Sequence, residues 1–238
     1  VIGFGARVVS DGEPKYLNSP ESPVFQKGRE IYGLYHALQT QGRLDRLIVV
    51  EGYMDVIALT QAGIHGAVAT LGTATTHEQA QLLLRSAPEI VLCFDGDHAG
   101  QSAAFRAAEN LLPVLQGDRQ VRVLMMPEGS DPDDLVRAEG RDSFEQRLHE
   151  ATPVIELYLS HLQQDCDLAT VDGRTRILER AAGLLKRIPQ NMLRETLLSR
   201  LAALSHTDPA RIDQLLRSPP ARQGSPSEQG SAKGPAEQ

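Results

Sequence analysis

Apolar residues recur along this chain with changing periods, and the changes divide it. Over residues 28–41, Ile31, Leu34, Tyr35 and Leu38 fall at helical spacing. After Gly42 the run LIVV at 47–50 is continuous and β-branched, as suits a strand buried on both faces of a parallel sheet. The alternation then repeats. A helix is predicted at about 54–62, a strand at 66–70 (GAVAT) and a helix at about 77–86. A strand at 90–94 (IVLCF) precedes an Ala-rich helix at about 99–115, and VRVLMM at 121–126 precedes a short helix starting near Asp133. This alternation predicts an α/β fold: a parallel sheet with helices on both faces and right-handed crossovers. From Thr152 the strand signal stops. Helices are expected at 152–164, 173–188, 190–205 and 208–217, with leucines three or four apart, forming a small all-α bundle. Gly173, Pro189 and Pro209 punctuate them, and Asp208 is placed to cap the last.

The two ends read differently. Residues 1–27 suggest a strand (GARVV), a turn at Ser10, Asp11 and Gly12, and an extended stretch in which Pro14, Pro20 and Pro23 forbid a helix. From Pro219 onward Ser, Gly, Pro, Glu and Gln dominate, a composition unable to bury enough surface to order itself, so this tail is expected to be a linker. The chain opens on Val1 inside an apolar run, which reads as a piece of something longer.

At 238 residues, 41% hydrophobic and 23% charged, the composition is that of one or two globular domains. No apolar run reaches the ~18–20 residues that cross a bilayer, and no signal-peptide pattern opens the chain. Cys93 and Cys166 are far apart and form no CxxC pair. That argues against a disulfide framework or a zinc ribbon and makes a reducing cytoplasm the default. The net charge of −7 runs against nucleic-acid contact until its distribution is considered. Arg7, Lys15, Lys27, Arg29, Arg43 and Arg46 all precede the first strong strand, and the acid-rich part follows it.

Acids gather where the strands end. Glu51 follows the first strong strand, and Asp55 falls in the first turn of the next helix (VVEGYMD). Asp95 and Asp97 leave the third (CFDGDHAG), and Asp131 and Asp133 lie just beyond the fourth (GSDPDD). Ligands of open parallel sheets bind beyond the carboxyl ends of the strands, so three strand ends bring acids to one rim. Two like charges ~4 Å apart cost about 4 kcal/mol at an effective dielectric of 20. Raised pKa values or a divalent cation relieve that repulsion, and an all-oxygen donor set suits Mg²⁺ or Mn²⁺ better than Zn²⁺. Acids at helix starts also cap free N–H groups, which is the competing explanation for each one singly. His98 reads as a cap or surface residue.

EGYMDV, LGTATT, DGDxAG and DPDDLV, in this order and spacing, resemble the TOPRIM segment of bacterial DnaG-type primases. PKYLNSPESPVFQKGREIYGLY resembles the basic motif region that precedes TOPRIM there. EGxxD and DxD alone are generic, shared with topoisomerases, RecR-like proteins and OLD-type nucleases. The resemblance covers residues 1–150 closely. It implies four parts: residues 1–46 ending the basic N-terminal subdomain, a TOPRIM domain at 47–150, a helical bundle at 151–218 acting as a support and spacer, and a disordered linker at 219–238. It further implies Mg²⁺-dependent synthesis of RNA primers from ribonucleoside triphosphates on single-stranded DNA. Glu51 would lie closest to the reacting groups, with Asp95 and Asp97 beside it. Those three, with Asp55, Asp131 and Asp133, would hold the metal and phosphates, while Arg7, Lys15, Tyr16, Asn18 and Lys27 contact nucleotide or nucleic acid. The family's zinc module, the opening part of its polymerase domain and its helicase-interacting domain have no counterpart here, and His98 stands where the family often has Arg. A TOPRIM nuclease and a catalytically silent RecR-like binding module are the alternatives.

Overall fold

A computed structural model describes residues 1–7, 16–42, 44–71 and 75–217. Lys15, the side chain of Tyr16, residues 72–74 of the LGTATT loop and the expected linker at 219–238 lie outside the described residues. In chain order the elements are β1 (Gly5–Arg7), β2 (Tyr16–Asn18), α1 (Leu34–Gln41), β3 (Arg46–Val50), α2 (Tyr53–Gln61), β4 (Ala67–Ala69), α3 (His77–Ser86), β5 (Glu89–Phe94) and α4 (His98–Leu111). A 3-10 turn at Leu112–Val114 leads to β6 (Gln120–Met125), α5 (Pro132–Glu150), β7 (Thr152–Pro153), α6 (Val154–Gln163), α7 (Val171–Arg187), α8 (Met192–Ser205) and α9 (Pro209–Arg217). None of the described helices is long and apolar enough to cross a membrane.

The main sheet runs β4-β3-β5-β6-β7, and β1 pairs antiparallel with β2 in a separate ribbon. Pairs β3–β4, β3–β5 and β5–β6 are parallel, as the strand–helix alternation predicts. Successive side chains on β3 serve opposite faces. Leu47 and Val49 enter one apolar cluster with α1, α3 and α4, while Ile48 and Val50 enter the other with α2 and α5. The strand is buried on both sides, which is why its sequence does not alternate.

Three elements depart from expectation. The helix expected from residue 28 starts only at Leu34, because Tyr32 exchanges two backbone hydrogen bonds with Ala69 and extends the sheet edge. Gly33, at φ 81°, makes the turn into the helix from there. The helix near Asp133 is 19 residues long rather than short, broken at Gly140. The helix expected from 152 begins at Val154, after β7 has paired antiparallel with β6. Pro153, which lacks an N–H, is tolerated on this edge.

The apolar cluster on the α1, α3 and α4 face continues without a break into α6–α9, through Tyr158, Leu162, Ile177, Leu184, Leu197 and Ile212. The helical segment therefore completes the core of the sheet as well as its own. At the seam the rings of Phe105 and Tyr158 stack 5.3 Å apart.

Candidate active site

The acidic rim is assembled by short-range rules. β3 ends at Val50, and Glu51 and Gly52 turn the chain into α2. The Gly52 N–H donates to Asp55 Oδ2 at 3.2 Å, which ties the first turn of the helix to the strand end. Next to β3 in the sheet, β5 ends at Phe94, and Asp95, Gly96 and Asp97 lead into α4. Asp97 caps that helix, accepting from the Gly100 N–H at 2.7 Å. A Cβ at Gly96 would collide with the Met126 carbonyl, and one at Gly100 with the Asp95 carbonyl. Glycine thus lets strand end, helix start and the neighbouring loop approach this closely. Beyond β6, Asp131 caps α5 by accepting from the Asp134 N–H at 2.8 Å, with Pro132 in the first turn.

Electrostatics sorts these acids into two groups. Burial, then the charges of Asp95 and Asp97, push the Glu51 carboxyl up from the ordinary range, against the Asp95 backbone N–H. Burial and the charge of Asp131 push Asp55 up to about 7, with smaller contributions from Asp95 and Asp133 and partial relief from the Gly52 N–H. Asp95 acts on both groups. Asp133 is less available than its neighbours, since Arg137 pairs with it one helical turn on. Glu51, Asp95 and Asp97 line one cavity of about 240 Å³ together with Thr70, Thr75 and Arg106; Asp55, Asp131 and Asp133 lie outside its lining. The capping explanation thus holds literally for Asp97 and Asp131, but it explains neither raised carboxyl.

The oxygen donors and their unrelieved repulsion fit a hard divalent cation in charge and chemistry. Among the described residues, no three acid, histidine or cysteine side chains are grouped as a ready ligand set. His98 is exposed at the start of α4 and does not line the cavity.

The basic candidates are more scattered. Arg7 stands opposite Tyr16 in the β1–β2 ribbon, and Asn18 opposite Gly5. Asn18 lines a separate cavity of about 340 Å³ with Phe4, Tyr32 and Tyr53. Lys27 sits in a turn that is fastened to α3. Gln79, 0% exposed, donates from Nε2 to the carbonyls of Lys27 and Glu30, both at 2.9 Å. Its Oε1 accepts from the Thr76 N–H at 3.1 Å, and Thr76 Oγ1 donates to the Gly28 carbonyl at 2.5 Å. Sequence reasoning missed this fastening, although Thr76-x-x-Gln79 is a capping-box pattern. It also missed Arg106, which carries no acidic neighbour in sequence to draw attention to it.

Three family models match consecutive parts of the chain. These are the DNA primase catalytic core N-terminal domain at residues 1–38, the Toprim domain at 45–125 and the DnaB-helicase binding domain of primase at 158–210. A crystal structure of a DNA primase domain from Pseudomonas aeruginosa is 51% identical, superposes with a TM-score of 0.87, and is matched over 92% of this chain and 68% of its own. The chain belongs to the DnaG-type DNA primases. Among curated relatives, the DNA primase of Pseudomonas aeruginosa is 52% identical over 92% of this chain, and that of Escherichia coli K12 is 46% identical over 91%. The chain spans 33% and 37% of those relatives, about a third of their length. The structure of a DnaG primase catalytic domain bound to ssDNA is 48% identical with a TM-score of 0.80. The helicase-named segment corresponds to α6–α8 and the start of α9, inside the chain, whereas the sequence reading put helicase contact beyond it.

Proposed function

We propose that this chain carries the nucleotidyl-transfer centre of a primase: it joins ribonucleotides into short RNA primers on a single-stranded DNA template in the bacterial cytoplasm. The observation that carries this reading is the cavity lined by Glu51, Asp95 and Asp97 at the carboxyl ends of two adjacent parallel strands, with the Glu51 carboxyl raised by burial and then by its acidic neighbours. A 3′-hydroxyl oxygen forms a bond to the α-phosphorus of the incoming triphosphate, the bond to pyrophosphate breaks, and the hydroxyl proton passes to the Glu51 carboxylate or to water. A bound Mg²⁺, or Mn²⁺ in its place, supplies charge neutralisation to the phosphates and acidity to the hydroxyl. Glu51, Asp95 and Asp97, with Asp55, Asp131 and Asp133, would hold it. Glu51, whose carboxyl is shifted toward proton uptake, stands closest to the departing proton. Arg7, Lys15, Tyr16, Asn18 and Lys27 contact nucleotide or template on the basic side.

The helical segment supports the sheet through the shared core. By its match to the helicase-named family model, it also contributes contact with the replicative helicase.

Asp97→Asn in the full-length protein is the cleanest test. Asparagine caps a helix as well as aspartate does, so the α4 N-terminus and the melting temperature are kept while the charge is lost. Template-directed ribonucleotide incorporation is expected to fall roughly a hundredfold or more. Wild-type incorporation by Asp97→Asn and by Asp95→Asn would remove these acids from the reaction.

A further inference from the structure

Arg106 is the cation in the acidic cavity, and it has no ion pair or hydrogen bond with any described residue. Three carboxylates line the same cavity, yet none lies within ion-pairing distance of the guanidinium. Acid and base therefore face each other across open space. Their placement follows from α4. Asp97 caps the helix, and Ala99, Ala103 and Arg106 follow at spacings of four and three, which puts them on one face. Nine residues at 1.5 Å each place the Arg106 Cα ~13 Å along the axis from the acidic end. Helical side chains lean back toward the N-terminus, which here is the acidic end, and Arg106 lines the cavity with the two alanines and the acids. The alanine methyls leave the floor between them low.

The cavity is thus bipolar: oxygen anions toward one end, a guanidinium unpaired among the described residues toward the other, and small alanines between. A monoanion alone is repelled by the acids, and a cation alone leaves Arg106 without a partner. A divalent cation carrying a polyphosphate satisfies both ends at once. A nucleic-acid backbone is a poorer match, because such chains follow rows of cations, and this wall presents one cation among three acids. We propose that Arg106 is the polyphosphate anchor of the site. It receives the terminal phosphates of the metal-bound nucleoside triphosphate, and afterwards the released pyrophosphate, through the two-pronged contact that guanidinium makes with phosphate. This rests on the metal-dependent nucleotidyl-transfer reading and adds a residue that reading did not contain.

Calorimetric titration of the 238-residue chain separates the two readings. Mn²⁺ is titrated first, then pyrophosphate and ATP in the presence of saturating Mn²⁺, and a single-stranded oligonucleotide in a parallel arm. In Arg106→Gln, Mn²⁺ affinity is expected to be unchanged or tighter, since a positive charge leaves the cavity. Affinity for Mn²⁺-pyrophosphate and Mn²⁺-ATP is expected to drop about tenfold or more, with partial recovery in Arg106→Lys and no change in the charge-matched control Arg200→Gln. Equal pyrophosphate affinity in wild type and Arg106→Gln overturns the anchor. A loss confined to the oligonucleotide also overturns it and assigns Arg106 to the template. No Mn²⁺ binding by wild type overturns the anchor and the underlying metal reading together, whereas intact Mn²⁺ binding with equal pyrophosphate affinity sinks the anchor alone.

Discussion

In the helical segment the Asp213 carboxylate is gripped by Arg194 at 2.6 Å and Arg217 at 2.7 Å, whereas at the sheet rim Asp55 is crowded by Asp131 and Asp95 and relieved only by the Gly52 N–H. Hydrogen bonds from both arginines hold Asp213 below the usual carboxylate range, while Asp55 is pushed up to about 7. Arg200 likewise forms a two-pronged pair with Glu156 at 2.9 Å. The same residue type thus does opposite work in the two regions. Among the helices Asp213 and Glu156 are each matched by arginine within the fold. At the rim Asp133 has Arg137 beside it, but burial and neighbouring acids raise the Glu51 and Asp55 carboxyls, so their charged forms cost stability.

The largest expected difference between the regions is their response to metal. A ligand that binds only the folded state stabilises it by about 2.7 kcal/mol at one hundred times its Kd. Mn²⁺ should therefore raise the melting temperature of the chain, and the rise should shrink in Asp95→Asn and in Asp131→Asn. Glu179, an exposed acid on α7, should make no difference when changed to Gln. A shift that survives both rim substitutions would mean that the rim acids are helix caps and nothing more.

Acid titration should separate the regions next, with opposite signs. Asp213→Ala leaves the guanidinium of Arg194, 3% exposed, without its carboxylate and should cost about 2 kcal/mol, with Mn²⁺ binding unaffected. Because the folded-state pKa of Asp213 is depressed, its contribution is complete above the unfolded value near pH 4 and disappears as pH falls through the folded one. Asp55 runs the other way. Its raised value means the folded state keeps a proton that the unfolded chain has lost, so metal-free stability falls as pH rises from about 4 to about 7. Asp55→Asn should flatten that fall and stabilise the metal-free chain at pH 8 by about 1 kcal/mol, once solvent screening is allowed for. Denaturant melts at pH 3, 5 and 8 measure both. Parallel slopes for the two variants would erase the distinction between the regions.

What could be read in the sequence follows from where the information lies. Glu51, Asp95 and Asp131 stand within a few residues of a strand end, so recognising the strands was enough to bring them to one rim. The cavity wall supplied by Arg106 depends on the face of α4, a three-dimensional relation nine residues long that no local motif records. Leucine spacing identified α6–α9 as helices but not what they bury, because an apolar stripe is silent about its partner; only the fold shows Tyr158 and Ile177 in the core of the sheet. The start of α1 lies later than the periodicity predicts because Ile31 keeps the helical spacing while Tyr32, next to it, pairs with Ala69 of β4. Tertiary pairing overrode a correct local pattern there.

The smallest predicted effect tests the basic side of the comparison, at Lys27. The Lys27 side chain is offered by a turn whose carbonyls are held by Gln79 from α3, while the Lys27 N–H donates to Glu21 Oε1 at 3.0 Å. Removing one phosphate contact to a single strand should lower the slope of log affinity against log salt by about 0.7. Lys27→Ala should therefore weaken oligonucleotide binding about threefold at low salt and hardly at all at high salt, where screening has already removed the contact. Gln79→Met keeps the volume but lets go of the turn, so it should reproduce that salt-dependent loss. The double variant should then lose no more than either single one, since both act through one contact. Fluorescence anisotropy across a salt series reads all three proteins. Strictly additive losses would show that Gln79 works on the fold at large and that Lys27 is placed by something other than this amide.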